Sequence, residues 1–235
     1  MYMSTKGAAL IAGAGESTGR ALCKLFAQRG LQVHGARRRP TEGSEVYGVH
    51  PVDFRVEEQV EAFVSGIEAS SPIQLAVHNI GANVYSNLAE TTPRVFTKTW
   101  ELAALSAFHF ARAIGPRMAA RGEGTIIFTG ATASLRGAAG FSAFAAAMHA
   151  KRALAQSVAR ELGPKGVHVC HVVIDGPIDT PFVRKILGDE RYAGLKANGG
   201  LLEPSVIAEQ YWNLHTQQPS AWTHELDLRP FSERW

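Results

Sequence analysis

The sequence predicts an α/β protein built on a doubly wound parallel sheet. Short apolar runs alternate with longer helical patterns along the chain of 235 residues. Such alternation is typical of a parallel sheet that is covered by helices on both faces. A glycine-rich loop joins the first strand to the first helix, and no repeat or linker interrupts the alternation. We therefore expect one domain that spans residues 1–235.

Six strands and four helices can be placed from the hydrophobic patterns. The predicted strands are Ala8–Ala12, Gln32–Ala36, Glu45–Val49, Leu75–His78, Thr125–Phe128 and His168–Val173. The predicted helices are Gly19–Arg29, Glu57–Ala69, Val95–Ala120 and Ser142–Leu162. The last 25 residues are rich in aromatic side chains, namely Tyr211, Trp212, Trp222, Phe231 and Trp235. This tail either packs over its own domain or forms a subunit interface, where aromatic residues are enriched.

Composition and charge argue against several classes of protein. A hydrophobic content of 46% with 19% charged residues is ordinary for a globular protein. No segment reaches the roughly 18 apolar residues that span a bilayer, so we expect no membrane segment. The N-terminus lacks the pattern of a signal peptide. The net charge is only +3, and the one dense basic run, Arg37-Arg38-Arg39, is too short for a nucleic-acid surface.

The cysteine content predicts a reducing, cytoplasmic setting. Cys23 and Cys170 fall in a predicted helix and a predicted strand, where buried free thiols are expected. No Cys/His cluster has the spacing of a zinc site, so we expect no metal ion.

The loop after the first strand is typical of a pyrophosphate-binding site. It contains Gly13, Gly15, Ser17, Thr18 and Gly19, and a helix follows directly. This order points backbone N–H groups and the positive end of a helix dipole at a phosphate. Glycine also lets the backbone approach a ligand closely. The hydroxyl of Ser17 offers a further contact, and the alternative is a tight turn without a ligand.

The end of the second strand favours NADP(H) over NAD(H). Sites that prefer NAD(H) carry an acid here for the ribose 2′-hydroxyl, whereas arginine suits a 2′-phosphate. Ala36, Arg37 and Arg38 stand at this place. A guanidinium group forms charge-assisted bonds to phosphate and stacks on adenine. The alternative is a solvated basic turn.

Further segments follow in a fixed order. They are Val52-Asp53-Phe54, His78-Asn79-Ile80-Gly81, Trp100-Glu101-Leu102-Ala103, Thr125–Gly137 and Asp175-Gly176-Pro177-Ile178-Asp179-Thr180. With the glycine loop they resemble the short-chain dehydrogenase/reductase (SDR) family over about residues 6 to 185, with Asp175 in place of the family's usual proline. The resemblance implies a Rossmann-like fold, a small-molecule substrate, and a homodimer or homotetramer built on Val95–Ala120 and Ser142–Leu162. The cofactor-binding residues that it implies are Gly13, Gly15, Ser17, Thr18, Gly19, Arg37, Arg38, Asp53, Phe54, Asn79, Gly81, Gly176, Ile178 and Thr180.

The same resemblance identifies the positions of the family's catalytic Asn, Ser, Tyr and Lys. They are Ala103, Ala131, Phe144 and Met148 here. In the family the Tyr exchanges a proton with the substrate oxygen, and the Lys lowers the Tyr pKa and binds the nicotinamide ribose. Phe144 has no proton to exchange and Met148 has no charge. The proton relay is therefore predicted to be absent, and the sequence identifies no catalytic residue.

Candidate replacements for the relay are weak. Tyr2–Lys6 and Tyr192–Lys196 repeat the Tyr–Lys spacing without the upstream serine. Lys151 lies two helical turns beyond Phe144, too far along the axis to replace the lost lysine. His149 points about 100° away from that face. The candidate substrate-pocket residues are Asn83, Tyr85, Ala131, Thr132, Ser142, Phe144 and Met148.

Three functions are compatible with this pattern. The first is an NADP(H)-dependent oxidoreductase that acts on an imine or iminium, an enoyl compound or another small hydrophobic substrate, with water or Tyr85 as the proton source. The second is a non-redox enzyme that uses the apolar pocket for a cyclisation, elimination or isomerisation. The third is a non-catalytic binding or partner subunit. The phosphate loop and Arg37 favour the first.

Overall fold

A parallel sheet of seven strands forms the centre of the protein, for which a computed structural model describes residues 7–40 and 48–233. The strand order is β3-β2-β1-β4-β5-β6-β7, and all neighbours are parallel. The strands are β1 (Ala8–Ala12), β2 (Gln32–Arg37), β3 (Val49–Pro51), β4 (Ile73–His78), β5 (Gly124–Thr129), β6 (Val167–Ile174) and β7 (Glu225–Leu228).

Helices cover both faces of this sheet. They are α1 (Thr18–Gln28), α2 (Glu57–Glu68), α3 (Pro93–Trp100), α4 (Ser106–Arg121), α5 (Ser142–Leu162), α6 (Pro181–Leu187), α7 (Asp189–Ala197) and α8 (Pro204–His215). Alternate residues of a strand enter different cores: Leu10 packs with α2, α4 and α5, whereas Ile11 packs with α1 and α8. Burial on both faces explains why the central strands are apolar throughout. The predicted doubly wound α/β fold is confirmed.

The sheet reverses its direction of growth between β1 and β4. In a doubly wound fold, ligands bind beside the carboxyl ends of the two strands at such a point. Asn79, directly after β4, connects the two strand ends here. Its backbone N–H donates to the Ala12 carbonyl at 2.7 Å, and its Nδ2 donates to the Gly13 carbonyl at 3.1 Å.

Most predicted strands are one or two residues longer in the structure, and two further differences concern β3 and β7. Of the predicted strand Glu45–Val49, residues 45–47 lie outside the described residues, and β3 begins only at Val49 and continues to Pro51. The seventh strand, β7, was not predicted. Its sequence ELDL alternates acidic and apolar residues over only four positions at the edge of the sheet, so it lacks the apolar run that identified the central strands.

The predicted helix Val95–Ala120 is three segments rather than one. Pro93 opens α3, and the Thr92 hydroxyl accepts a hydrogen bond from the Val95 backbone N–H at 3.2 Å. A π-helical turn, Glu101–Leu105, then separates α3 from α4. Periodicity does not reveal one widened turn inside an otherwise helical pattern.

Among the described helices, none is both long enough and apolar enough to cross a membrane.

The aromatic tail packs largely over its own domain. Tyr211 is fully buried in the core with α1, and Trp212 lies 6.2 Å from Phe26 between ring centroids. Trp222 stacks on His168 at 4.8 Å. Phe231 is exposed. Trp235 lies outside the described residues.

Both cysteines occupy the predicted elements. Cys23 in α1 and Cys170 in β6 are buried and free. Burial raises the pKa of both thiols, the Cys23 thiol to about 12, so neither is a thiolate at neutral pH.

Candidate active site

A first cavity of about 510 Å³ lies beside the carboxyl ends of β1, β2 and β4. It occupies the point at which the sheet reverses, where the fold is expected to bind a nucleotide. The residues predicted for a cofactor that line it are Gly13, Gly15, Arg37, Arg38, Asp53, Phe54, Asn79 and Gly81.

The three glycines of the loop have different reasons to be glycine. Gly13 has φ +90°, and a Cβ there would lie 2.7 Å from the Asn79 carbonyl oxygen. A Cβ on Gly19 would lie 2.4 Å from the Gly13 carbonyl oxygen. The fold alone therefore requires these two glycines. A Cβ on Gly15 would meet no atom within 4 Å and would enter open space at the cavity. The close approach of a phosphate fits this position.

The start of α1 is also suited to an anion. Ser17 precedes the helix and makes no capping hydrogen bond with its side chain. The first turn of α1 contains no acidic residue, and the nearest carboxylate in the chain, that of Glu16 before the helix, is exposed. Thr18 is buried, and both residues line a second cavity.

Arginines dominate the far side of the first cavity. Four arginines line it. Arg37 and Arg38 were predicted as cofactor ligands, whereas Arg39 and Arg55 were not. Arg55 binds the Asp53 carboxylate through Nε at 2.9 Å and Nη2 at 2.5 Å. The Arg55 hydrogen bond holds the pKa of Asp53 below its usual value. Arg39 could have been predicted as a cavity residue from the basic run 37–39. Arg55 has no comparable sequence signal, and its place in the site follows from its contact with Asp53.

A second cavity of about 720 Å³ adjoins the first at Asn79, which lines both. It extends from the start of α1 to α6. The predicted site residues that line it are Ser17, Thr18, Asn79, Asn83, Ala131, Thr132, Phe144, Gly176, Ile178 and Thr180. The predicted cofactor residue Gly19 lines neither cavity, because it packs against the loop backbone.

Three of the candidate pocket residues are not among those that line the second cavity. Tyr85 is 76% exposed and packs edge-on against Phe141, with ring centroids 5.2 Å apart. Ser142 is exposed at the start of α5. Met148 is buried behind the cavity wall. Phe141, Phe182 and Ile186 line the cavity and were not predicted.

The four residues that the resemblance assigns to the family's Asn, Ser, Tyr and Lys come together in three dimensions. Ala103, Phe144 and Met148 belong to one buried apolar cluster, and Ala131 packs against it. Ala103 lies on the π-helical turn, and Phe144 and Met148 lie one turn apart on α5. The cluster is filled by carbon and sulfur atoms, so it offers no group that transfers a proton near neutral pH.

The hydroxyl groups that neighbour Ala131 make hydrogen bonds within the protein. Ser134 is fully buried, and its Oγ accepts a hydrogen bond from the Ala131 backbone N–H at 3.1 Å. The Thr132 hydroxyl donates to the Asp175 carboxylate at 2.5 Å. Each hydroxyl is therefore bound to the protein itself.

Lys151 is buried beneath the ends of β4 and β5. Its Nζ donates to the carbonyl oxygens of Ile80 at 2.5 Å and Thr129 at 3.2 Å. Burial lowers the pKa of this amine from 10.5 to about 7. Lys151 is not among the residues that line either cavity.

His78 lies at the end of β4 and is likewise buried. Its Nε2 lies 2.9 Å from the Ser106 Oγ, which itself donates to the Leu102 carbonyl at 2.5 Å. Because the hydroxyl proton of Ser106 is committed, Nε2 of His78 must be the donor. Burial, with a smaller contribution from the charge of Lys151, holds the pKa of His78 well below 6.5.

The segment after β6 forms one wall of the second cavity. Thr180 caps α6 by accepting the Val183 backbone N–H at 3.1 Å. Tyr192 and Lys196 of α7 both bind the Asp179 carboxylate. The hydrogen bond to Asp179 raises the pKa of Tyr192, which is opposite to the shift that a catalytic tyrosine needs. This Tyr–Lys pair therefore fastens α7 to the loop before α6.

Other polar side chains make structural contacts. His149 is exposed, and its Nδ1 lies 2.8 Å from the carbonyl oxygen of Ala145, one turn earlier on α5. Within residues 7–40 and 48–233, no group of three or more His, Cys, Asp or Glu side chains is arranged to hold a metal ion.

Comparisons with known proteins agree with this architecture. The family model for short chain dehydrogenases matches residues 7–191. A curated relative, 2-dehydro-3-deoxy-D-gluconate 5-dehydrogenase of Pseudoalteromonas atlantica, is 28% identical over 200 residues, which cover 80% of this chain and 78% of that protein. A 3-oxoacyl-[acyl-carrier-protein] reductase of Vibrio cholerae is 27% identical and covers 85% of this chain and 86% of its own length.

Solved structures share the whole fold. A short-chain dehydrogenase from Rhodopseudomonas palustris superposes with a TM-score of 0.79 at 38% identity, covering 95% of this chain and 99% of that one. ElxO, solved with NADP bound, has a TM-score of 0.84 at 19% identity and covers 94% of this chain and 96% of its own. Other structural neighbours also hold NADP.

Proposed function

Because the chain belongs to the short-chain dehydrogenase/reductase family, we propose that it is an NADP(H)-dependent oxidoreductase that works without the family's proton relay. The observation that best supports this proposal is a contrast between two parts of the site. The features that would hold the dinucleotide are present, whereas the four relay positions form an apolar cluster.

Three features support NADP(H) as the cofactor. Open space in front of Gly15 and the start of α1, whose first turn holds no acidic residue, suit the pyrophosphate. Arg37 and Arg38 suit a 2′-phosphate, and Arg39 lines the same cavity. Asp53, which the resemblance places at the adenine, lines the cavity and is held there by Arg55.

The site favours a substrate that needs no acid from the protein. When bound, the cofactor supplies or accepts a hydride at the substrate carbon. Hydride addition to an iminium carbon gives a neutral amine and requires no proton. Reduction of a conjugated alkene requires one proton, which water can supply. A simple ketone, in contrast, develops a strongly basic alkoxide while the hydride adds, and neither Phe144 nor Met148 offers a proton or a positive charge that stabilises it.

The chain's own residues would bind and orient such a substrate. Phe141 and Phe144 from one side, and Phe182 and Ile186 from α6 on the other, offer apolar surface and exclude water. Asn79 lines both cavities, and its hydrogen bonds to the carbonyl groups of Ala12 and Gly13 fix its position between them. Positioning is therefore the main contribution that we assign to the protein.

A non-redox reaction is less well supported. Cyclisation, elimination or isomerisation would need a side chain that transfers a proton. Among the described residues that line the second cavity, only Arg136 has an ionisable side chain, and a guanidinium does not exchange its proton in this range. The same absence is compatible with a purely binding role, which would give cofactor affinity without turnover.

The test is turnover with NADPH deuterated at the transferable position. Three substrate types are compared: a cyclic iminium ion, a conjugated enone and a saturated ketone. We expect deuterium in the product from the iminium or the enone, at a rate at least about 100-fold above that of the ketone. Equal rates for all three would overturn the proposed mechanism, and binding without any transfer would favour the binding subunit.

We further propose that the protein forms a homodimer or homotetramer through the helices that the sequence singles out. Phe96, Trp100 and Phe108 on α3 and α4 are between 40% and 45% exposed, which supports a buried contact there. Light scattering on the purified protein measures the mass directly, and a monomer at micromolar concentration would contradict this.

The two free buried thiols support the proposed reducing, cytoplasmic compartment.

A further inference from the structure

We propose that the substrate carries an anionic group, of the carboxylate type, that binds Arg136 in the second cavity. This inference deepens the proposed function and rests on it for the identity of the cavity as the substrate site. Arg136 follows β5 and is the only charged residue among the described residues that line this cavity. The rest of the lining is apolar or neutral, so this guanidinium sets the charge preference of the site.

Asp175 fixes the position of Arg136. The Arg136 Nη1 and Nη2 atoms lie 3.3 Å from the Asp175 carboxylate oxygens, which is long for a charge-assisted bond. Asp175 is fully buried at the end of β6. Among the described residues, it is the only hydrogen-bond partner of the Arg136 guanidinium. Nε and the outer N–H groups of Arg136 thus remain for a ligand.

Asp175 is satisfied largely by other groups. Thr132 donates to its Oδ1 at 2.5 Å, and the Arg229 Nη2 lies 3.1 Å from its Oδ2. The Arg229 side chain is only 12% exposed, whereas that of Arg136 is 48% exposed. The buried carboxylate is therefore shared by two guanidinium groups, and the one that reaches the cavity is the less tightly bound. A substrate anion can add to it without displacing Asp175.

The apolar walls define the rest of the ligand. Phe182 and Ile186 line the cavity from α6, and their side chains are 59% and 61% exposed, as expected of surface that a ligand covers. A cavity of about 720 Å³ accommodates a small apolar body beside the nicotinamide end of a cofactor. A ligand that fits this lining is an amphiphilic acid with its carboxylate at Arg136 and its apolar body against Phe182 and Ile186.

The probe pair is 3-phenylpropionate and its neutral amide, 3-phenylpropanamide, titrated by calorimetry into the protein with and without NADP⁺. We expect the carboxylate to bind at least about tenfold more tightly than the amide. Arg136→Gln should abolish that preference while the amide affinity changes less than about threefold. Arg136→Lys should retain part of it, because it keeps the charge without the fork geometry.

Two controls separate charge effects from folding effects. Arg94→Gln removes one exposed positive charge on α3 outside the cavity and should leave the preference intact. The melting temperature of each variant is compared with that of the wild type. A large decrease would show that the substitution disturbs the contacts of Asp175 with Thr132 and Arg229 and destabilises the fold. Equal affinity of wild-type protein for both probes, or a preference that survives in Arg136→Gln, overturns the inference. Failure of NADP⁺ to bind would instead refute the proposed function, because the carboxylate preference is also measured without cofactor.

Discussion

The Lys151 ammonium group lies 2.5 Å from the carbonyl oxygen of Ile80, at a place where the chain is fully buried. A second bond to Thr129 means that one side chain joins the ends of β4 and β5, from which the site loops emerge. No carboxylate partners this amine in the described hydrogen bonds and ion pairs, so its charged form is costly.

Lys151 is expected to reduce the stability of the protein at neutral pH. Its folded pKa, about 7, lies below the 10.5 of an exposed lysine. Between these values the unfolded chain holds a proton that the folded chain releases, so stability rises with pH through this window and is lowest below pH 7. Lys151→Met should therefore stabilise the protein by about 2 kcal/mol at pH 7, less toward pH 10.

Urea unfolding at several pH values measures this effect. The exposed Lys165→Met serves as the control and should leave the pH profile unchanged. A Lys151→Met variant that is less stable than wild type at pH 7 would show that the two carbonyl contacts outweigh the cost of burying the charge.

The glycine loop offers a matched pair of substitutions. Gly15→Ala adds a Cβ that meets nothing within 4 Å, so the melting temperature should change little. The same Cβ enters the cavity and should weaken NADPH binding by at least about tenfold. Gly19→Ala puts a Cβ 2.4 Å from the Gly13 carbonyl oxygen and should destabilise the fold itself. Unchanged NADPH affinity in Gly15→Ala would count against a phosphate at this loop.

Restoring the relay tests the assignment of its four positions. Met148→Lys alone puts an unpaired charge into an apolar cluster and should cost roughly 3–5 kcal/mol. Phe144→Tyr alone should give no ketone reduction, since no cation lowers its pKa. The combined Ala103→Asn, Ala131→Ser, Phe144→Tyr and Met148→Lys variant should gain measurable ketone reductase activity. Its complete inactivity while folded and NADPH-bound would mean that these positions are not equivalent to the relay.

Acid should destabilise the protein through buried histidines. Burial lowers the pKa of His171 from 6.5 to about 4, despite its contact with Glu225 at 3.0 Å. As the pH falls from 6.5 to 4, His171 becomes protonated in the unfolded chain but stays neutral in the folded protein. The free energy of unfolding therefore decreases over this range. His171→Gln should flatten that loss by about 2 kcal/mol. Denaturant midpoints at pH 7 and pH 5 compare the two proteins, and identical slopes would exclude His171 as a contributor.

Much of the fold follows from local pattern. Apolar runs such as Ala8–Ala12 and Thr125–Phe128 identify central strands because both of their faces are buried. The edge strand β7 and the π-helical turn at Ala103 escape this reasoning. The first is too short and too polar, and the second changes one hydrogen-bonding turn without changing the sequence period.

The site divides in the same manner. The glycine loop and Arg37 are local signals, and the structure brings them to one cavity. Arg136 and Asp175 are 39 residues apart in sequence, and only the pairing of β5 with β6 brings them together. The substitution of a buried aspartate for the family's proline was visible in the sequence, but its partners Thr132 and Arg229 were not.

The proposed cofactor preference can be measured by calorimetric titration of the purified protein with NADPH, and with NADH under the same conditions. We expect micromolar binding of NADPH and binding of NADH at least about tenfold weaker, because Arg37 and Arg38 favour the 2′-phosphate. Absence of binding by either dinucleotide, or equal affinity for the two, would contradict it.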